Sequence, residues 1–292
     1  MLTPVVPRLL TSALRPSFGY PPVAAPSTTQ RAFSETSRAL RLGPRGHRPR
    51  SYTRLMCGRF TLTEESAARV AAQLGMERDE LFEESYTPRW NIAPTQPFWI
   101  VTAGQEARRV QPATWGLVNW SEASRREGAK HINARAESLT SRRPYREAFA
   151  SARCVIPADG FFEWTVEGRQ RLPTWFHRPD RRIFGFAGLY TSARLSGEAE
   201  PTTTFTIITT TPNATVAAIH DRMPVILAGD SAIDEWLYAK QTSERLHRLL
   251  VPAPADYLQA AAVGTRVNSV ANDDPMCLEP TQPRPGQGAF LL

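Results

Sequence analysis

Apolar positions along this chain follow two spacings from about residue 58 onward. Short alternating or continuous apolar runs recur at Gly58–Leu62, Phe98–Val101, Arg109–Leu117, Arg153–Ile156, Thr174–Phe176, Ile183–Tyr190 and Thr204–Thr210. Turn-forming residues separate most of them, so they read as strands. The helical spacing is rarer. It puts Ala67, Val70, Ala71 and Leu74 on one face of a helix over Glu64–Leu74, closed by Gly75. Further helices are expected around Tyr145–Ala150, Asn213–Ile219 with Asn213 as N-cap, Ser231–Tyr238 behind Asp230, and Ser243–Leu250. Glu77–Glu84 reads only as an acidic stretch. Strands dominate, helices interrupt, and no repeat of the length used by solenoids or propellers is visible. The pattern predicts one strand-rich α+β domain from Cys57 to about Pro280, with a Pro/Gly-rich tail over 281–292.

Residues 1–56 do not share this pattern. They hold nine arginines, no lysine, and Glu35 as the single acid. The whole chain of 292 residues has a net charge of +7, but the segment after Met56 has 26 basic and 27 acidic residues. The surplus belongs to the leader, so bulk charge gives no reason to expect nucleic-acid binding by the body; such binding needs a local patch. Arg8 and Arg15 interrupt any apolar signal region, which argues against a secretory signal. Arg31–Leu40 resembles an organellar presequence; the preferred reading is that Met56 is the true initiator, because a segment of this composition builds no core. A start at Met56 implies a cytoplasmic protein, and a genuine transit peptide an organellar one. No run approaches the ~18 apolar residues of a membrane span. The three cysteines, at 57, 154 and 277, show neither CxxC nor Cys/His spacing, which argues against a disulfide framework or structural zinc. No metal or organic cofactor is implied, and nothing demands more than a monomer.

Four short groups carry candidate chemistry: Met56–Phe60, Ile132–Glu137, Ala158–Trp164 and Ile219–Pro224. Glu163, flanked by Phe161, Phe162 and Trp164, suits proton transfer if desolvation raises its pKa; equally, strand alternation could point it to solvent. His220 fits either a proton carrier or a capping or surface histidine. Asn133 and Arg135 share a face if their segment is a strand. Cys57 is special if Met56 is removed. Its α-amine, with a pKa of about 7.7–8.0, is then partly unprotonated at neutral pH, and amine and thiol occupy adjacent carbons. Such an aminothiol condenses with an aldehyde to an imine and closes to a five-membered thiazolidine. Arg59 beside it favours the thiolate. Cys154 and Cys277 read as small buried thiols.

In this order, and together with Asn91–Gln96, Trp115–Leu117, Cys154–Pro157, Phe186–Leu189 and Arg266–Asn268, these groups resemble the SRAP family of abasic-site-processing proteins over nearly the whole body. The resemblance implies a single domain with a barrel-like β core, flanking helices and a positively charged groove for single-stranded DNA. It also implies a DNA-repair reaction in which Cys57 traps the aldehyde of an abasic site as a thiazolidine crosslink. Asn133 is then expected near the linkage, Glu163 to orient or deprotonate reacting groups, and His220 to shuttle protons. Arg59, Arg135, Arg143 and Arg222 are candidate phosphate contacts; Trp120, Trp164 and Pro94 are candidate base contacts, with Trp164 equally a core aromatic. While residues 1–56 are attached, the Cys57 nitrogen is an amide and forms no imine. The alternatives are an N-terminal-nucleophile hydrolase of the glutamine amidotransferase type, a thiol autopeptidase acting at its own N-terminus, and a non-enzymatic single-strand-binding module.

Overall fold

In a computed structural model, residues 58–118, 124–195, 197–238 and 243–281 are described. The elements in chain order are β1 (Phe60–Leu62), α1 (Ala67–Gln73), α2 (Glu80–Ser85), β2 (Arg89–Ile92), β3 (Pro97–Ala103), β4 (Arg108–Trp115), α3 (Arg125–Gly128), β5 (Asn133–Arg135), α4 (Arg143–Ser151), β6 (Arg153–Ala158), β7 (Gly160–Glu167), β8 (Gln170–His177), β9 (Phe184–Ala193), β10 (Thr202–Thr210), α5 (Ala214–Ala217), β11 (Met223–Pro224), β12 (Ile226–Leu227), α6 (Asp230–Tyr238), α7 (Ser243–His247) and β13 (Gln259–Ala262).

Strands β10, β4, β3, β6 and β9 pair in that order, and β9 pairs back onto β10 from Thr202↔Ala193 to Ile207↔Gly188, closing a five-stranded barrel. Only the β4–β10 junction is parallel, through Thr204↔Thr114 and Phe205↔Trp115. The short strands β5, β11 and β12 extend β10 and β9 beyond the closed part. An antiparallel second sheet, ordered β13-β8-β7-β1-β2, lies beside the barrel. Phe60 joins the two, because its ring meets Phe98, Trp115 and Phe186 of the barrel at centroid separations of 5.0, 5.2 and 5.9 Å. Burying one such side chain contributes on the order of 2–3 kcal/mol. The strand-rich α+β architecture is therefore the one expected from the sequence pattern, and the barrel-like core the one the resemblance implies. Among the described residues no helix is long and apolar enough to cross a membrane.

The departures from the expected elements have local causes. The first helix begins at Ala67 and not Glu64 because the Ser66 hydroxyl caps it, accepting from the Arg69 N–H. Within the acidic stretch, Asp79 accepts from Phe82 N–H and starts α2. Asn213 caps α5 as anticipated, through Val216 N–H. The last expected helix stops at His247, after which single i→i−3 bonds, such as Leu250 N–H to the His247 carbonyl at 3.1 Å, tighten the chain.

Strand β7 shows no apolar alternation because both of its faces are covered. Phe161 packs on Phe176 and Phe186 in the main core, at 5.1 and 6.1 Å between centroids. Phe162 and Trp164 point the other way, into a second apolar cluster with Trp175, Val263, Val267 and Cys277. By period-2 alternation Glu163 shares the Phe161 face and is drawn inward. Gly160 opens this strand where no side chain fits: an added Cβ would lie 2.1 Å from Trp175 Nε1, the atom that donates to Thr61 Oγ1 at 3.2 Å. Thr61 Oγ1 in turn donates to Asp159 Oδ1, 2.5 Å away. Gly160→Ala is therefore expected to cost about 1–3 kcal/mol through overpacking, read as a lower urea midpoint at unchanged m-value.

Candidate functional site

Glu163 and His220 meet in the interior. Their side chains are 1% and 2% exposed, and His220 Nε2 lies 3.8 Å from Glu163 Oε2. The expectation that alternation might turn Glu163 to solvent fails, because the face opposite Phe162 and Trp164, which Glu163 shares with Phe161, is covered by the main core. His220 follows α5 directly, with its N–H bonded to the Val216 carbonyl at 2.9 Å. It is neither a surface residue nor exposed cap: Nδ1 accepts from the Arg222 backbone N–H at 3.0 Å, while the Arg222 carbonyl stands at 3.3 Å and Asp221 Oδ1 at 3.2 Å. Accepting at Nδ1 puts the proton of the neutral ring on Nε2, facing Glu163. When the ring is protonated, Nδ1 finds the carbonyl and the Asp221 carboxylate as acceptors. Both charge states of His220 thus have partners in place.

Asn133 opens β5, the parallel neighbour of β10 through Asn133↔Ile207. Its carbonyl accepts from the Tyr145 hydroxyl at 3.3 Å, and that hydroxyl also lies 3.2 Å from His131 Nδ1. Arg135 shares the strand face with Asn133, two residues on, and is exposed, as is Arg143 at the start of α4. Arg222 is different. Its Nη1 and Nη2 hold the two oxygens of Glu137 at 2.9 and 3.0 Å, Nη2 also reaches the Thr209 carbonyl at 2.6 Å, and the side chain is 12% exposed.

Two more of the expected DNA contacts are committed inside the protein. Arg59 Nη1 donates to Asn91 Oδ1 at 2.8 Å and to the Val267 carbonyl at 2.6 Å. Trp164 is buried, donates through Nε1 to Asn268 Oδ1 at 2.7 Å, and has the guanidinium carbons of Arg59 and Arg171 6.0 and 5.0 Å from its ring centroid. It is a core aromatic, so the stacking role expected for it gives way to a packing one. Pro94 is half-buried in the turn before β3, next to Thr95, whose φ of 70° is unusual for a β-branched residue. That turn is held by Thr95 N–H on the Trp115 carbonyl at 2.8 Å and by Gln96 Oε1, which accepts from Ala93 N–H and Arg89. Cys57 and Trp120 lie outside the described residues. Burial pushes the thiols of Cys154 and Cys277 up, which leaves them inert packing groups as expected.

Asn91, Glu137 and Asn268 stand within the sequence motifs without a task assigned to them. Asn91 turns out to be a buried latch: its Nδ2 donates to the carbonyls of Val267, Ser269 and Asn272 at 3.2, 2.9 and 2.6 Å. A lone amide inside an apolar run was the available signal. Among the described residues no group of His, Cys, Asp and Glu has metal-holding geometry. A hollow bordered by Gly75, Arg108, Asp230, Asp234 and Tyr238 contains none of the site residues. Its Arg108 is already engaged by Asp230 and Asp234 at 3.0 and 2.8 Å.

The family model for SOS response associated peptidase (SRAP) matches residues 56–270. The chain is 38% identical over 226 residues to the abasic site processing protein YoqW of Bacillus subtilis, covering 77% of this chain and 99% of that one. It is 29% identical to the abasic site processing protein HMCES of Gallus gallus, with 78% of each chain covered. Escherichia coli YedK, also named as an abasic site processing protein, is 28% identical across its full length and 77% of this chain. A crystal structure of a protein from Bacteroides thetaiotaomicron superposes with a TM-score of 0.69 at 26% identity, covering 77% of this chain and all of that one.

Because Asn91 ties Arg59 to the 267–272 loop, Asn91→Ala removes an acceptor from the half-buried Arg59 guanidinium and the amide donor of the Ser269 and Asn272 carbonyls. A loss on the order of 2–3 kcal/mol is expected, measured as a fall in Tm.

Proposed function

The chain belongs to the SOS response associated peptidase (SRAP) family, and we propose that it processes abasic sites in single-stranded DNA by capturing the lesion covalently on Cys57. The observation that carries this reading is the buried Glu163–His220 pair, 3.8 Å apart. The pairing of β1 with β7 supports it. Phe60 pairs with Phe161 and Thr61 with Gly160, and Phe162 N–H bonds the Arg59 carbonyl at 3.0 Å, so continuing the antiparallel ladder aligns Gly58 with Glu163. Cys57 is covalently attached to Gly58, and consecutive Cα atoms are about 3.8 Å apart.

The ring-opened sugar presents an aldehyde at C1′. The free α-amine of Cys57 adds to it, giving a carbinolamine, and loss of water leaves an imine. The Cys57 sulfur then adds to the imine carbon, the thiol proton passes to nitrogen, and the five-membered ring is closed. Water is the only product released. Dehydration needs a donor to the leaving hydroxyl and an acceptor for the amine proton. His220, carrying its proton on Nε2, supplies the first, and Glu163 as carboxylate the second. Asn133 sits beside the linkage as a hydrogen-bonding group. Of the four candidate phosphate contacts, Arg135 and Arg143 are the exposed ones and offer their charge to the backbone. The chemistry requires that Cys57 be the first residue, whether by initiation at Met56 and methionine removal or by cleavage after Met56.

Incubation with a single-stranded oligonucleotide bearing one abasic site, resolved on a denaturing gel and by intact mass, tests this. We expect an adduct that survives denaturation, is lost in Cys57→Ala, and contains only protein beginning at Cys57. An adduct formed by chains whose Cys57 nitrogen remains in a peptide bond overturns the mechanism. Glutamine turnover without an adduct selects an amidotransferase, and a salt-sensitive native shift alone selects a binding module.

A further inference from the structure

Glu137 is the member of the Ile132–Glu137 group that the reaction above leaves without a task. It follows β5 in a short 3-10 turn, Ala136–Ser138, and its side chain is 58% exposed, yet both of its oxygens are turned back onto Arg222. Burial works to raise its carboxyl, but the hydrogen bonds and charge of Arg222, with Arg135 nearby, outweigh this and hold it below the usual range. Glu137 is therefore an anion throughout the range in which a histidine titrates.

The donor inventory of Arg222 shows what that anion does. A guanidinium has five N–H groups. One on Nη1 goes to Glu137 Oε1, and the two on Nη2 go to Glu137 Oε2 and the Thr209 carbonyl. The Nε hydrogen is buried and meets no acceptor among the described residues. One Nη1 hydrogen remains, so most of the guanidinium is engaged by Glu137 and the Thr209 carbonyl. What Arg222 does control is its own main chain, and that main chain holds His220: the Arg222 N–H donates to Nδ1 at 3.0 Å and its carbonyl waits at 3.3 Å.

Resting on the functional reading above, we infer that Glu137 is a positioning residue: by clamping the Arg222 guanidinium against the Thr209 carbonyl it fixes the Arg222 backbone, and so fixes the tautomer and orientation of His220. The chain of contacts runs Glu137 carboxylate, Arg222 guanidinium, Arg222 peptide, His220 Nδ1, His220 Nε2, Glu163. Among the described residues, the charged groups facing the imidazole include Glu163 from β7 and Asp221 from its own loop, with Arg222 adjoining in sequence. None of them substitutes for Glu137, because none binds the Arg222 guanidinium. Loss of the Glu137 charge also leaves this surface more cationic, so its removal has opposite effects on binding and on chemistry.

The test uses the full chain with Glu137→Ala, Glu137→Gln, Arg222→Ala and the Glu137→Ala/Arg222→Ala pair. Imidazole nitrogen NMR of wild type should show neutral His220 protonated at Nε2. In Glu137→Ala we expect tautomer mixing and a lower titration midpoint, since Arg222 is left uncompensated, with Glu137→Gln intermediate. In single-turnover capture of an abasic oligonucleotide, Glu137→Ala should lower the maximal rate about tenfold and displace its pH profile. Binding of lesion-free single strand should tighten. The double variant should be no slower than Arg222→Ala, as expected for residues acting in series. A His220 tautomer and titration unchanged in both Glu137 variants overturns the inference, as does an unchanged rate with tightened binding, which would make Glu137 merely a competitor for phosphate. Absence of any wild-type adduct overturns the functional reading instead, while the imidazole spectrum still decides the role of Glu137.

Discussion

Everything at the site depends on one constraint: β7 has apolar matter on both faces. Phe161 belongs to the barrel-side core, and Phe162 and Trp164 belong to the second cluster. A strand in that position has no solvent face to offer a carboxylate, so Glu163 must be met by a polar partner inside the protein. Isolated burial of a charged group is costly, whereas burial beside a group that can hold or release a proton is tolerable. His220 is that partner. The antiparallel pairing of β1 with β7 then aligns the start of the described chain with the same carboxylate. Fold and chemistry share a cause here, because the ring of Phe60 that joins β1 to the barrel also fixes the register.

The arginines sort by the same logic of available acceptors. Arg59 finds Asn91 and the Val267 carbonyl, Arg222 finds Glu137 and the Thr209 carbonyl, and both become parts of the scaffold. Arg135 and Arg143 remain on the surface. In a near-neutral body, exposed arginines of this kind are what the proposed contact with a nucleic-acid backbone relies on. The latch residues Asn91 and Asn268 belong to the scaffold too: one binds the 267–272 loop, and the other holds Trp164 against β8 through the Arg171 carbonyl at 2.9 Å.

What could be read from the sequence was whatever obeyed a simple period. The barrel strands showed themselves because their alternating or continuous runs end in turns, and α5 because Asn213 is a strong cap. β7 did not alternate, β5 has only three residues, and α2 was hidden in acids until Asp79 was seen to cap it. Glu163, His220 and Asn133 were legible as candidates from their apolar or turn-rich settings. That Glu163 faces inward was not, because alternation predicts which residues share a face but not what covers it. Nor could a sequence say that Arg59, Arg222 and Trp164 are occupied: each is bound by a group 32 or more positions away.

The central claim is that Glu163 and His220 work as one proton-handling unit. A double-mutant cycle on the single-turnover rate of adduct formation, using Glu163→Gln, His220→Asn and the combined variant, addresses it directly. The account predicts strong non-additivity, with the double variant close to the slower single one, because removing either member disables the pair. Strictly additive losses in the logarithm of the rate would contradict it and assign the two residues independent roles.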